Sequence, residues 1–488
     1  MKPEKVFKPT IEKIDKLNAG GNFTLNVTHE LLNGYIMQVT KSENGFDAQI
    51  DFKPFKGFSS SRFNNLNLEP PITIRQEADI YHLPQHSLLL NSYSLTDDDF
   101  IRISGGITQI SSSGDSSGFD DAFLRIVIPV ANGRPKIRDI RGFWYDCDIK
   151  TNDSSLVKVF IHEKEYHFFI LRNSERTFLV IDSTHKTEFE DFKKVVSNIT
   201  TAFGFLFGDL FMDEGYFVSS SDSKFSVIDH IFFSTYRDSI LSGYAIYTTN
   251  PYSVYNVTGQ TREEIDAQIE EIKKWYSKLL EFDDTLFSKL CETFYDKEPF
   301  SRAAIIVLQG NQLALEIKGS AYSIALEAVT EQILKDKAIK FPKPIEDSGV
   351  FDTLRKELLK IVAAALPKSD KTLVDANNIF TNRINDLNRP SNADKLRKPF
   401  ELLGYTLSKY EQDVIKHRNL FQHGKLPSNP DSEDGVFKDV YYSCMILHRL
   451  FYILVLKFIG FEGYIINYPQ LHKHITSKDL SEDLLYKI

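Results

Sequence analysis

The apolar residues of this chain change period partway along it, and no fold of a single class satisfies both halves. Up to about residue 250 the period is two. Residues 23–27 (Phe-Thr-Leu-Asn-Val) alternate, 34–39 continue with β-formers, and 46–52 alternate again after a turn at 42–45. Further short runs of β-branched and aromatic residues recur at 72–75, 100–103, 123–128, 156–162, 166–172 and 177–181. After Thr261 the period is that of a helix. Thr261-Arg262-Glu263-Glu264 is a capping box, and Ile265, Ile269, Ile272, Tyr276 and Leu279 follow at spacings of three and four. The Asn250-Pro251 step and the polar stretch 256–260 make the boundary. The expected architecture is α+β: a β-rich region at 1–255, an antiparallel sheet or sandwich, followed by a helical region at 256–488.

Within the first region, residues 1–20 are charged and are expected to be poorly anchored. Residues 111–118 are a Ser/Gly-rich run without the Gly-Lys-Ser/Thr ending of a phosphate loop, and are expected to be a flexible hairpin connection. Thr187-Glu188-Phe189-Glu190 has the form of a second capping box, opening a helix that covers the sheet. Strands are expected again at 225–236 and 244–248. His82, His86, His162 and His167 have no clustered Cys or carboxylate at metal-ligand spacing and are read as surface or packing residues.

In the second region helices are expected at 284–295, 302–308, 313–334, 351–365, 372–386, 394–402, 407–423 and 436–459. The 313–334 helix is expected to bury the line Leu313, Ile317, Ala321, Ile324 and Ala328. The 407–423 helix ends at Gly424, with Pro427 just beyond. On its wheel Arg418 falls within the apolar arc of Leu407, Tyr410, Val414, Ile415 and Phe421. A cation there needs a partner or must reach back to water. Glu327 lies near the line of the 313–334 helix and is expected to be a core carboxylate paired to an arginine or to backbone amides. His423 lies five residues beyond Arg418, roughly 140° around an ideal helix. The two side chains converge only if the last turn unwinds or if two copies meet across a twofold axis. Asn419, one turn before His423, is placed to hydrogen-bond its ring.

The bulk properties narrow the class. The net charge of −9 argues against a general nucleic-acid coat. The charge is uneven: residues 301–488 carry 26 Lys and Arg against 23 Asp and Glu, a net +3, and the remainder carries −12. Cys147, Cys291 and Cys444 are too dispersed for a disulfide framework or a zinc knuckle, which suits a cytoplasmic setting. The most apolar stretch, 441–461, is interrupted by His448, Arg449 and Lys457 and is read as a buried helix, not a membrane span.

Arg418-Asn419-Leu420-Phe421-Gln422-His423, followed by Gly424, resembles the motif of the HEPN ribonuclease superfamily: arginine, a polar residue, a short spacer, histidine. The context is similar too, with Ala325-Leu326-Glu327-Ala328 upstream on an apolar helix and a long apolar helix after the motif. The resemblance covers roughly residues 255–488 and is greatest to the ApeA-type proteins of bacterial anti-phage defence. It implies a HEPN helical bundle that dimerises and cuts RNA without metal or cofactor, with Arg418 and His423 catalytic and Asn419 supporting. Glu327 would then orient Arg418. Lys416, His417 and Lys425 could touch RNA phosphate; the two lysines equally suit a helix C-terminus. A phage-derived protein would act as trigger at the N-terminal region. The alternative is a non-catalytic HEPN module that binds protein or nucleotide.

Overall fold

The computed structural model describes the chain apart from residues 1–2, 29–31, 44, 54–67, 69, 96–99, 131–155, 174–175, 249, 340–342, 370, 390 and 426–432. Pro427 and Cys147 therefore lie outside the described residues. The fold is α+β: among the described residues, a fourteen-stranded antiparallel sheet is followed by a helical region. The chain divides into two compact units. The first comprises residues 1–313, 459–467 and 482–487; the second comprises 314–458, 468–481 and 488.

In the first unit the alternating segments pair as antiparallel neighbours. Strand Gly45–Phe52 lies between Ile36–Ser42 and Ile101–Ile107, with Ile50 opposite both Met37 and Ile103. Ala48, Ile50 and Phe52 turn one face into the core. One margin of the sheet, strand Leu156–Ile161, is closed by helix Asp284–Asp296. Phe160 N–H donates to Ser288 Oγ (2.9 Å), and His162 N–H donates to Glu292 Oε1 (2.9 Å). Side chains thus satisfy an edge that would otherwise recruit another strand.

Three expectations fail here for physical reasons. Residues 3–18 are not loose: helix Pro3–Asn18 buries Ile11, Ile14 and Leu17. Arg125 clamps this helix. It donates to Thr10 Oγ1 (3.0 Å) and to both oxygens of Asp182, and it lies between the rings of Phe7 and Phe225. The Thr187 capping box does not form. Thr187 bridges to Ala122, and the first amide of helix Phe189–Phe207 is capped from a distance by Asp120 Oδ1 (2.9 Å). Residues 244–248 are irregular rather than a strand. Ile246 and Tyr247 give their amides to the Leu206 carbonyl, closing the end of that helix (3.0 and 3.2 Å). The Ser/Gly-rich run contains a short 3₁₀ turn, Ser116–Gly118, capped by Asp115.

The second unit is built on helix Glu433–Phe458, whose residues 450–456 are all buried, packed on helix Leu315–Asp336. Among the described residues this apolar helix is the one long and apolar enough to cross a bilayer, and 89% of its most apolar window is buried inside the protein. The core line expected for the 313–334 helix, observed as Leu315–Asp336, is largely turned outward: of its five residues only Ala321 is buried. Ile317 and Ile324 are 55% and 50% exposed and Leu313 is 40% exposed, whereas Tyr322, Leu326, Val329 and Ile333 are buried. That helix is apolar on two faces, and periodicity alone does not say which face meets the core.

Candidate functional site

The motif region begins at a capping box that the sequence contains as Ser408-Lys409-Tyr410-Glu411. Ser408 N–H and Oγ both donate to Glu411 Oε2 (2.9 Å each), and Glu411 N–H returns to Ser408 Oγ. The other Glu411 oxygen accepts from Arg449 (2.8 Å) and from Tyr405 Oη (2.9 Å). Arg449 also donates to Tyr410 Oη (3.0 Å). Both side chains of the Arg449–Glu411 pair are 1% exposed. This buried pair, hydrogen-bonded through Tyr405, Ser408 and Tyr410 as well, fixes helix Lys409–His417 on the long apolar helix. From the sequence Glu411 was passed over, and Arg449 was noted only as an interruption of the apolar run. The Ser-x-x-Glu spacing was the available signal for Glu411, and a lone arginine within an apolar run was the signal for Arg449.

The single helix expected at 407–423 is broken. Lys409–His417 is one segment, Asn419–Gln422 is a second short one, and Arg418 is the junction. The chain then stops at Gly424, as the sequence leads one to expect. Gly424 has φ +65°, the amide of Lys425 reaches back to Leu420 O (2.8 Å), and that of Gly424 bonds to Phe421 O (3.2 Å). This is the Schellman arrangement that glycine permits at a helix end.

Helix Leu315–Asp336 holds the broken turn at three points. The Phe421 ring lies against Gly319, where an added Cβ would fall 2.4 Å from the ring. Ser320 Oγ donates to Phe421 O (2.9 Å). Arg418 is ion-paired to Glu327, and it also donates to Asn419 Oδ1. Gly319→Leu is accordingly expected to push Phe421 out and destabilise the second unit by about 1–3 kcal/mol. Chemical denaturation measures this; a loss below 0.5 kcal/mol would contradict the contact.

The wheel's demand for a partner to Arg418 is met by Glu327. The Arg418 side chain is 3% exposed, and the carboxylate is 38% exposed. Burial lowers the guanidinium pKa from its ordinary value, and the Glu327 charge and hydrogen bond oppose that shift. The guanidinium remains a cation. Its Nε has no hydrogen-bond partner among the described residues. Asn419 does not serve the His423 ring as expected; its carbonyl oxygen is engaged by Arg418. His423, Lys416, His417 and Lys425 are exposed on the same turn and its flanks. The structure thus brings Arg418, Asn419 and Glu327 into one bonded group, with His423 on the solvent side of the turn that group organises.

Beside Arg449 lies His448, which is fully buried and faces Lys318 and Tyr322 of the 315–336 helix, Tyr452 of its own helix, and Tyr468 and His472. Burial, together with the Lys318 and His472 charges, lowers its pKa from 6.5 to about 3. The unfolded chain binds a proton as pH falls through 6.5, and the folded chain does not until about 3. Stability is therefore complete above pH 6.5 and declines below it by up to about 1.4 kcal/mol per pH unit. The unfolding midpoint of the second unit is expected to fall between pH 7 and 5, with a shallower slope in His448→Gln; equal slopes would refute the assignment.

Among the described residues no group of three or more His, Cys, Asp or Glu is placed to hold a metal ion, and Cys291 and Cys444 are free and buried. No protein-family model, no curated protein and no solved structure matches this chain.

Proposed function

We propose that this chain is a metal-independent endoribonuclease of the HEPN type. One observation carries the reading: a buried arginine, oriented by Glu327 and Asn419, stands at a helix break whose other end presents an exposed histidine. RNA brings its own nucleophile, the 2′-hydroxyl next to the scissile phosphate. His423 removes the 2′ proton or protonates the 5′ leaving oxygen, the two proton-transfer roles an imidazole nitrogen can take. The 2′ oxygen bonds to phosphorus, the bond to the 5′ oxygen breaks, and Arg418 stabilises the charge on the phosphorane. Glu327 and Asn419 hold the guanidinium in place. The products are a 2′,3′-cyclic phosphate and a 5′-hydroxyl, and DNA is not cut.

A homodimer fits the same reading. The exposed Ile317 and Ile324 lie on the face of the 315–336 helix that continues to Glu327, so a second copy seated there would border the motif and could add a second His423. The cytoplasmic, anti-phage role and the phage-derived trigger at the N-terminal region come from the resemblance to ApeA-type proteins, and the −12 charge outside residues 301–488 suits a surface for protein rather than RNA.

The 97% burial of Arg418 favours a second reading, in which the ion pair is structural and the module binds without cutting. End-chemistry mapping of RNA treated with the purified protein separates the two. The nuclease reading expects cyclic-phosphate and 5′-hydroxyl ends with undiminished activity in EDTA. Activity lost on chelation and restored by Mg²⁺ would overturn the mechanism. Intact RNA under every triggering condition would leave the binding module.

A further inference from the structure

The two members of the Arg418–Glu327 pair sit in different surroundings. The arginine side chain is 3% exposed and the carboxylate is 38% exposed. Arg418 Nη1 donates to Asn419 Oδ1 and Nη2 donates to Glu327 Oε1, while Nε is buried with no hydrogen-bond partner among the described residues. Nε and Nη2 lie along one edge of the guanidinium, an edge able to grip two oxygens of a single carboxylate or phosphate. Glu327 fills half of it. A phosphate on both donors would make one hydrogen bond more than the carboxylate does, and would satisfy a buried donor that now goes without.

The partners also differ in how freely they can move. Arg418 is tied to Asn419 at a helix break that Ser320 holds through the Phe421 carbonyl. The Glu327 carboxylate has no partner besides Arg418 among the described residues. It stands one turn beyond Ile324, which is 50% exposed, and so borders the solvent face of the 315–336 helix. Turning outward costs a carboxylate that is already partly hydrated little desolvation. It does strand a buried guanidinium, which is strongly unfavourable unless another anion arrives. An incoming anion meets the more exposed carboxylate first, and two anions on one edge repel each other. Departure of one is therefore coupled to arrival of the other.

We infer that Glu327 is the resting occupant of an oxyanion site on Arg418, and that a phosphate takes its place during turnover. Glu327 holds the guanidinium in place until then. Asn419, a neutral acceptor, goes on holding it afterwards. That the phosphate is RNA's rests on the nuclease reading; the exchange itself does not.

The test uses the full-length protein and two readouts. The first is the rise in melting temperature caused by millimolar inorganic phosphate, against chloride at equal ionic strength. The parent is expected to gain little. Glu327→Ala is expected to gain about 2–4 °C, as is Glu327→Gln, which keeps a neutral acceptor should the alanine variant fail to fold. Adding Arg418→Met should abolish the gain. The second readout is affinity for a single-stranded RNA in the His423→Ala background. There Glu327→Gln is expected to bind about tenfold more tightly. Glu331→Gln, at an exposed carboxylate one turn further on, controls for the lost charge and should move neither readout. Equal phosphate gains in the parent and the Glu327 variants, or a gain that survives Arg418→Met, would overturn the proposal. So would measurable RNA binding that Glu327→Gln leaves no tighter than Glu331→Gln does, the result expected if the carboxylate only orients the arginine. RNA neither bound nor cut by a protein that shows the phosphate gain would instead sink the nuclease reading and leave the oxyanion site standing.

Discussion

His423→Ala is expected to reduce RNA cleavage by about 10²–10⁴-fold, the usual contribution of one positioned acid or base. Thermal stability should barely move, because the side chain is exposed and a surface substitution away from caps and pairs stays within about 0.5 kcal/mol. The contrast with Arg418→Ala makes the experiment decisive. Removing Arg418 leaves Glu327 without its cation and Asn419 without its donor, so activity and stability fall together. A histidine variant that cuts RNA like the parent would end the nuclease proposal whatever the arginine variant does. The readout is a single-turnover rate on a labelled RNA, with melting curves on the same samples.

Removing one partner of the Arg449–Glu411 pair is the change with the largest expected effect on stability. Glu411→Ala strands a guanidinium that is 1% exposed and also removes the acceptor for Tyr405 and for the Ser408 cap. The expected cost is about 3–5 kcal/mol. The double variant Glu411→Leu, Arg449→Met removes both charges and is expected to recover most of that loss, because well-packed apolar replacements of a buried pair are often neutral. Urea unfolding monitored on the second unit gives the comparison. A single variant that loses less than 1 kcal/mol would mean that the helix carrying the motif is anchored by something else. The same pair also positions the motif, so Glu411→Ala at a temperature where it remains folded should lower the cleavage rate while leaving the end chemistry unchanged.

The change of hydrophobic period made the α+β class readable, and simple alternation placed strands such as Gly45–Phe52 where they lie. The Gly424 stop and the need for a partner to Arg418 were likewise local properties, set by φ and by the cost of burying charge. What escaped reading was tertiary. The stripe of Phe7, Ile11, Ile14 and Leu17 is set among lysines and interrupted by Pro9, so it looked like a solvated end until Arg125 and the sheet are present to receive it. The 315–336 helix has apolar residues on two sides, and only the arrival of the 433–458 helix decides that Tyr322 and Leu326 are inside while Ile317 and Ile324 are not. Asn419 had two possible customers, a ring one turn ahead and a guanidinium next door, and the helix break at Arg418 favoured the neighbour.

The route of the chain between the two units limits how this protein can be taken apart. After the long apolar helix it returns to the first unit for 459–467, leaves, and returns again for 482–487. The returning pieces pair with each other, Tyr464–Ile466 against Leu485–Lys487, and Ile466 N–H is bonded to Ile246 O (2.9 Å). A protease nick after residue 313 would therefore leave both fragments tied together under native conditions. A gene shortened to its first 313 codons would encode a sheet unit missing two of its own segments, and one begun at codon 314 would carry those segments with nothing to receive them.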